Sequence, residues 1–198
     1  MIVRDFWVKR VPRGEVSGFI EKWHYSGTVN GCIADYCYAL FHEHTMIGAM
    51  FYGRMAMANQ YRRFCDDPSR VIELRRLCCI DDTPKNTESF FIGKTLRLLR
   101  ADWRDDGIVV SYADREHGHS GTIYRASNFT ELAPIKGAKV IIYQGRVYHD
   151  KSIRTKYKGE LKPFAQRIKA ALDAGDAYYH QTAGKNTFIY NLRRGTKC

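Results

Sequence analysis

The sequence predicts a mixed α/β (α+β) chain with a central mixed sheet flanked by helices, and three observations carry that prediction. Residues 70–80 (RVIELRRLCCI) form a long, apolar-rich strand pattern closed by the turn signal AspAspThrPro. From 88 to 103 the period changes, because Ile92, Leu96, Leu99 and Trp103 recur at i, i+4, i+7 and i+11 and share one helical face. Residues 107–112 (GIVVSY) are then a continuous apolar run, the signature of a strand covered on both faces beside a crossover helix. Strand, helix and strand in that order make a βαβ unit.

The other elements follow in chain order. Residues 2–11 (IVRDFWVKRV) read as an opening strand, and Val16, Phe19, Ile20 and Trp23 give a first helix over 14–23. Runs at 36–41 and 46–52, joined by HisGluHisThr, predict a hairpin. Residues 119–129 have the small residues of a second, short helix. A strand over 139–143, a turn at Gln144-Gly145-Arg146 and a helix over 162–174 complete the reading. That last helix rests on Phe164, Ile168, Ala171 and Leu172, with Gly175 as its cap. No Pro/Gly/Ser-rich linker interrupts the chain, so one domain over residues 1–198 is expected.

No apolar run is long enough to span a bilayer, and the N-terminus carries charges where a secretory signal needs its apolar segment, so a cytoplasmic protein with no membrane partner is expected. The six cysteines contain no CxxC pair, which favours reduced thiols over disulfides or a zinc cluster. Net charge is +11, and residues 139–198 hold thirteen Lys and Arg against four acids, an excess of +9. Eight Tyr and Phe are interleaved there. Cations hold phosphates and aromatic faces stack on bases, so this part is a candidate DNA surface, with Lys151, Arg154, Lys156 and Lys158 as phosphate contacts. The bland alternative is a solvated basic face with ordinary core aromatics.

Several residues are chemically suggestive. The loop DDTPKNTES enters the helix near Glu88 and offers free backbone N–H groups at a positive helix end, while the absence of GxGxxG and GxxxxGK[ST] removes the dinucleotide-fold and P-loop readings. Adjacent Arg75 and Arg76 lie mid-strand and should face opposite sides of the sheet. An unpaired arginine there is costly, so one should meet a cofactor or a buried acid; Arg76 is assigned to the cofactor, with Ser89 as a phosphate or substrate contact, against the alternative that both reach solvent. His24 is either a structural histidine or a metal ligand or base. Asp114 ends a buried strand, where αβ sheets place catalytic groups, or else caps the next helix. His42, His44, His117 and His119 fall in turns and read as surface histidines, with His117 and His119, which directly follow Asp114, as the second choice for a metal.

A strand ending in an acid (GIVVSYAD), a small-residue helix start and a Tyr-x-Ala-x-Asn-Phe close resemble the last strand and helix of the GNAT acetyltransferase core. That resemblance implies an acyl-CoA thioester held between two splayed central strands, with Tyr124 in the position of the tyrosine that protonates the departing thiolate. Pro84, Lys85, Asn86 and Thr87 stand where that family keeps its glycine-rich phosphate loop. The set WHYSG (23–27), IELRRL (72–77), SYAD (111–114) and GTIYRASNF (121–129) is similar to the phage Mom family in particular. This second resemblance implies a DNA-modifying enzyme of the host cytoplasm. It would add a carbamoylmethyl group to adenine N6 in double-stranded phage DNA and so shield it from restriction. It also implies acetyl-CoA, and iron, for which His24 and Asp114 are the ligands to consider. An adenine in a duplex must be swung out before an enclosed site can reach it. Attachment through a methyl carbon needs C–H activation, a task suited to a redox metal. The competing readings are an ordinary GNAT N-acetyltransferase and a DNA-binding protein without catalysis.

Overall fold

A computed structural model describes residues 1–57, 59–193 and 195. In chain order the elements are β1 (Phe6–Arg10), α1 (Arg13–Trp23), β2 (Tyr36–His42), β3 (Thr45–Gly53), β4 (Val71–Cys79), α2 (Thr87–Asp102), β5 (Ile108–Asp114), α3 (Thr122–Ala126) and β6 (Thr130–Ile135). There follow β7 (Lys139–Tyr143), β8 (Arg146–His149), α4 (Asp150–Arg154), β9 (Lys156–Tyr157), β10 (Glu160–Leu161), α5 (Pro163–Ala174), β11 (Ala177–Gln181) and β12 (Lys185–Asn191). The chain forms two compact units. One comprises residues 1–113, 120–133 and those described from 186 onward; the other comprises 114–119 and 134–185.

The first unit is built on a seven-stranded sheet of order β1-β2-β3-β4-β5-β12-β6. Strands β1 to β4 pair antiparallel, and β4 pairs parallel with β5. Successive side chains of a strand point to opposite faces, and both faces here are covered. From β2 and β3, Tyr38, Leu40, Met50 and Tyr52 join Phe91, Ile92, Leu96 and Leu99 of α2. The alternate residues Cys37, Ala39, Ala49 and Phe51 join Val16 and Ile20 of α1. Burial on both sides is why these strands read as unbroken apolar runs; each large side chain fully buried contributes about 1.5–3 kcal/mol. Polar groups on the α2 side are paired with one another: Tyr52 and Thr95 share a hydroxyl hydrogen bond of 2.7 Å, and the Tyr38 hydroxyl donates to Asp102 at 2.7 Å.

Helix α3 is shorter than the sequence predicts. Gly121 stands before it at φ +86°, and a Cβ there would meet Phe188 at 2.2 Å, so only glycine fits. Asn128, at φ 62°, closes it after one turn.

The second unit contains the antiparallel sheet β11-β7-β8. Its β7–β8 turn places Gln144 and Gly145 at positive φ, the two-residue hairpin geometry. Ile141, Ile153, Ala165, Ile168, Ala171 and Ala177 form its core, with α4 and β11 packed against α5. Gly175 caps α5 in the left-handed region, its N–H on Ala171 and Leu172 carbonyls.

Cys32, Cys37, Cys78 and Cys79 are free thiols, and burial pushes the Cys37 thiol up to about 11. Cys65 is disulfide-bonded, which corrects the expectation of reduced thiols throughout; the same expectation for Cys198 falls outside the described residues. No helix among the described residues is long and apolar enough to cross a membrane.

Candidate active site

The site starts from how β4 and β5 are paired. Partners run from Val71↔Ile108 to Leu74↔Ser111 and stop, although β4 continues to Cys79 and β5 to Asp114. Beyond Leu74 and Ser111 the two strands share no ladder, and an opening in the sheet begins there. A bulge lies at the same level: Phe51 of β3 pairs with Arg76 and Tyr52 with Leu74, so Arg75 is the extra residue.

That bulge corrects the expectation that Arg75 and Arg76 face opposite sides. Arg75 donates from Nη1 to Glu73 at 2.9 Å, two positions back on the same face, and to the Arg54 carbonyl at 3.3 Å. Arg76 is level with Phe51, which belongs to the α1-side core. The buried acid that one arginine needed is therefore Glu73, and it is Arg75 that meets it, with side chains only 11% and 15% exposed. Arg76 donates from Nη1 to the Arg75 carbonyl, and its Nε is buried with no hydrogen-bond partner among the described residues.

Tyr124 lies under this point. Its ring packs against Phe129 and Phe188, with centroids 5.5 and 5.1 Å away. Burial pushes the phenol up to about 12; a hydrogen bond from Ser111 opposes the rise, and the nearby Tyr25 and Glu73 add to it. Tyr112 is also held above its usual value, by burial first and then by Glu73, and its hydroxyl accepts from Gln60 at 3.1 Å. At neutral pH both phenols keep their protons. Tyr124 is thus a protonated phenol on α3, buried against Phe129 and Phe188.

His24 caps α1 through its backbone N–H on Ile20 and is buried. Its ring lies over Tyr25 at 4.2 Å between centroids, and Tyr25 in turn acts on Tyr124, so the three share one neighbourhood. The Ser26 backbone N–H reaches His24 Nδ1 at 3.1 Å, and the Ser26 hydroxyl lies 2.8 Å from the same nitrogen. A backbone N–H only donates, so Nδ1 is the acceptor and the neutral ring carries its proton on Nε2. In that tautomer the ring offers a donor at Nε2 where a metal needs a lone pair.

Asp114 belongs to the second unit. Its Oδ1 accepts from the Glu116 N–H at 3.1 Å, capping the short turn that follows, and its Oδ2 meets Lys185 Nζ at 3.0 Å. Both oxygens are engaged, and no group of three His, Cys, Asp or Glu among the described residues could hold a metal ion. His24 and Asp114 as placed do not fit the expected iron. Ser89 sits in the first turn of α2, its hydroxyl donating to the Asn86 carbonyl at 3.0 Å. Asn86 precedes the helix at φ 73° without a side-chain cap, leaving that end to backbone N–H groups alone.

Glu73, Ser111 and Tyr112 are functional neighbours that the sequence reading does not single out. Glu73 carries a signal: an acid inside the apolar run IELRRL, two residues from an arginine, is the spacing of a same-face pair.

A sequence profile of the Mom protein family matches residues 5–197. The chain belongs to the Mom protein family. A relative named methylcarbamoylase mom, from Escherichia phage Mu, is 33% identical over 92 residues, 46% of this chain and 38% of that protein. The match therefore spans well under half of the relative's length. Among solved structures, a putative acetyltransferase from Salmonella typhimurium with its cofactor acetyl-CoA shares the fold at a TM-score of 0.55, with 7% identity over 98% of this chain and 97% of that one. A putative GNAT-family acetyltransferase from Desulfovibrio desulfuricans gives 0.51, with 9% identity over 95% and 99%. Vibrio cholerae spermidine N-acetyltransferase, in complex with CoA and spermine, gives 0.51, with 9% identity over 96% of each chain. The fold of this Mom family member is that of the GNAT acetyltransferases.

Proposed function

We propose that the protein is a DNA-modifying enzyme that takes an acyl-CoA and builds a carbamoylmethyl group on adenine N6; the terminal amide needs an ammonia-level nitrogen that displaces the CoA thiolate, and the bond from N6 to the methyl carbon, formed with loss of one N–H and one C–H hydrogen, needs a two-electron oxidant. The observation that carries this is the interrupted pairing of β4 and β5 after Leu74↔Ser111, which leaves a slot between parallel strands where a thioester's extended arm can lie. Membership of the Mom family, and a phage relative named as a methylcarbamoylase, support DNA as the acceptor in preference to a protein or polyamine. The acetyl-CoA bound by the Salmonella protein supports the cofactor class.

In this reading Tyr124 donates a hydrogen bond to the sulfur that becomes the thiolate. With its phenol held at about 12, it keeps its proton and is a reluctant acid toward a thiolate, whose conjugate thiol lies at about 8.5, so a hydrogen bond to the developing charge is its main contribution. His24, whose ring lies against Tyr25, is assigned to the same reaction. Arg76 and Ser89 are assigned to the cofactor, and Lys151, Arg154, Lys156 and Lys158 to the DNA backbone. His24 and Asp114 are committed to other partners, so neither is assigned to iron.

The deciding experiment is expression in bacteria followed by digestion of the cellular DNA to nucleosides and mass spectrometry. A new adenine nucleoside heavier by one carbamoylmethyl group is expected. Unmodified adenine in the presence of folded protein overturns the reading.

A further inference from the structure

The second unit contains a hollow of about 360 Å³ lined by Ile153 of α4, Lys169, Leu172 and Asp173 of α5, and Ala177, Tyr178 and Tyr179 of β11. Strand β11 is an edge of its sheet, and both tyrosines are open to solvent, Tyr178 at 61% and Tyr179 at 46%. Lys139, on the neighbouring β7, holds its ammonium 3.7 Å from the centre of the Tyr179 ring. Around this hollow the unit carries twelve Lys and Arg against six Asp and Glu, an excess of +6.

These groups divide the labour of binding a polynucleotide. Lys169 and Asp173 are one turn apart on α5 and face the same hollow with opposite charge. The carboxylate repels a phosphate but accepts from the amino edge of a base. A tyrosine ring with one accessible face is a stacking surface. The ammonium groups of Lys139 and Lys169 suit the phosphates on either side of that base. The apolar floor of Ile153, Leu172 and Ala177 matches a flat heterocycle and offers nothing to an ion.

We infer that the hollow between β11 and α5 is a stacking site for one unpaired base of a DNA strand, with Tyr179, on the same face of β11 as the buried Ala177, as its platform and Asp173 as an acceptor at its wall. The inference rests on DNA being the substrate and adds to it a specific contact that the basic residues of α4 and β9 do not provide. Ile153, which lines the hollow, lies on the same helix as the exposed Lys151 and Arg154, so backbone and base contacts share one short element.

The test uses the full chain and a short single-stranded deoxyoligonucleotide with one 2-aminopurine, titrated by anisotropy and by base fluorescence. The parent should bind and quench the 2-aminopurine. Tyr179→Ala should weaken binding about 5- to 100-fold, as loss of one base stack does, and leave the salt slope unchanged, whereas Tyr178→Ala, on the opposite face of β11, should bind as the parent does. Tyr179→Phe should restore both affinity and quenching, which a general loss of folding would not permit. If the parent binds and Tyr179→Ala matches it, the stacking site is wrong and the DNA reading stands. If the parent binds no DNA, both fall. If the parent binds without quenching, the base does not stack and the inference is overturned whatever the variants do.

Discussion

A phenol on a short helix, a carboxylate on a strand and an imidazole at a helix end have little in common as residues, and each is governed by what surrounds it. Tyr124 is the sharpest case, because its ring is core and its hydroxyl is the donor proposed for the leaving thiolate. Tyr124→Phe keeps the packing on Phe129 and Phe188 and removes only the donor. Thermal stability should change little, while adenine modification, measured by nucleoside mass spectrometry, should fall by about 100-fold or more. Glu116 makes a prediction of a different kind. Its carboxylate accepts the Ala183 N–H at 2.7 Å and meets His180 at 2.7 Å, and these two contacts hold its pKa below the ordinary glutamate value. A carboxyl depressed by folding adds stability that is present above its unfolded pKa and drains away as pH falls through the folded one. Melting followed from neutral to acid pH should therefore show a loss below the usual glutamate range that is smaller in Glu116→Gln. From the sequence, His24 and Tyr124 are visible because each sits in a short motif. Glu73 is not, since an acid in an apolar run reads as a break in the pattern until its partner is located. Asp114 reads with two meanings, and the capping contact to Glu116 is the one its geometry supports.

Elements are legible where one period holds over many residues. The periodicity predicts α2 from 88 to 103 and it runs from Thr87 to Asp102; for α5 the pattern gives 162 to 174 and the helix runs from Pro163 to Ala174. Leu99, on the core side of α2 and fully buried, makes the framework testable: Leu99→Ala should cost about 2–5 kcal/mol in denaturant unfolding, without altering which residues face the gap between β4 and β5. The reading fails where two periods meet. In β4 the bulge at Arg75 puts Val71–Leu74 and Arg76–Cys79 out of phase by one residue, so alternation applied to the whole strand misplaces an arginine. Strand β12 escapes the sequence reading because its aromatics count there toward a nucleic-acid surface. Phe188 is instead fully buried in the first unit, while Tyr157, Tyr178 and Tyr179 are the exposed ones. Composition cannot separate those two fates; only the pairing of the strand does.

At the scale of the whole molecule, charge is the property most plainly written in the sequence. Lys151, Arg154, Lys156 and Lys158 are all exposed on the second unit, although Arg154 is already paired with Asp150. Replacing the four with glutamine should weaken duplex binding and flatten its dependence on salt, by about 0.9 in log–log slope for each phosphate that the variant no longer neutralises. Arg154 should contribute least of the four, and an unchanged slope would refute the assignment. The path of the chain decides how such experiments can be built. The polypeptide leaves the first unit after Ala113, returns at Ser120, leaves again after Ala133 and comes back at Asn186 to supply the strand carrying Phe188. A stop codon placed to remove the basic portion would therefore also strip an interior strand from the main sheet and yield an unfolded product rather than an informative one. The second unit is an inserted loop with two stems, and it can be excised cleanly only by joining the ends of each stem.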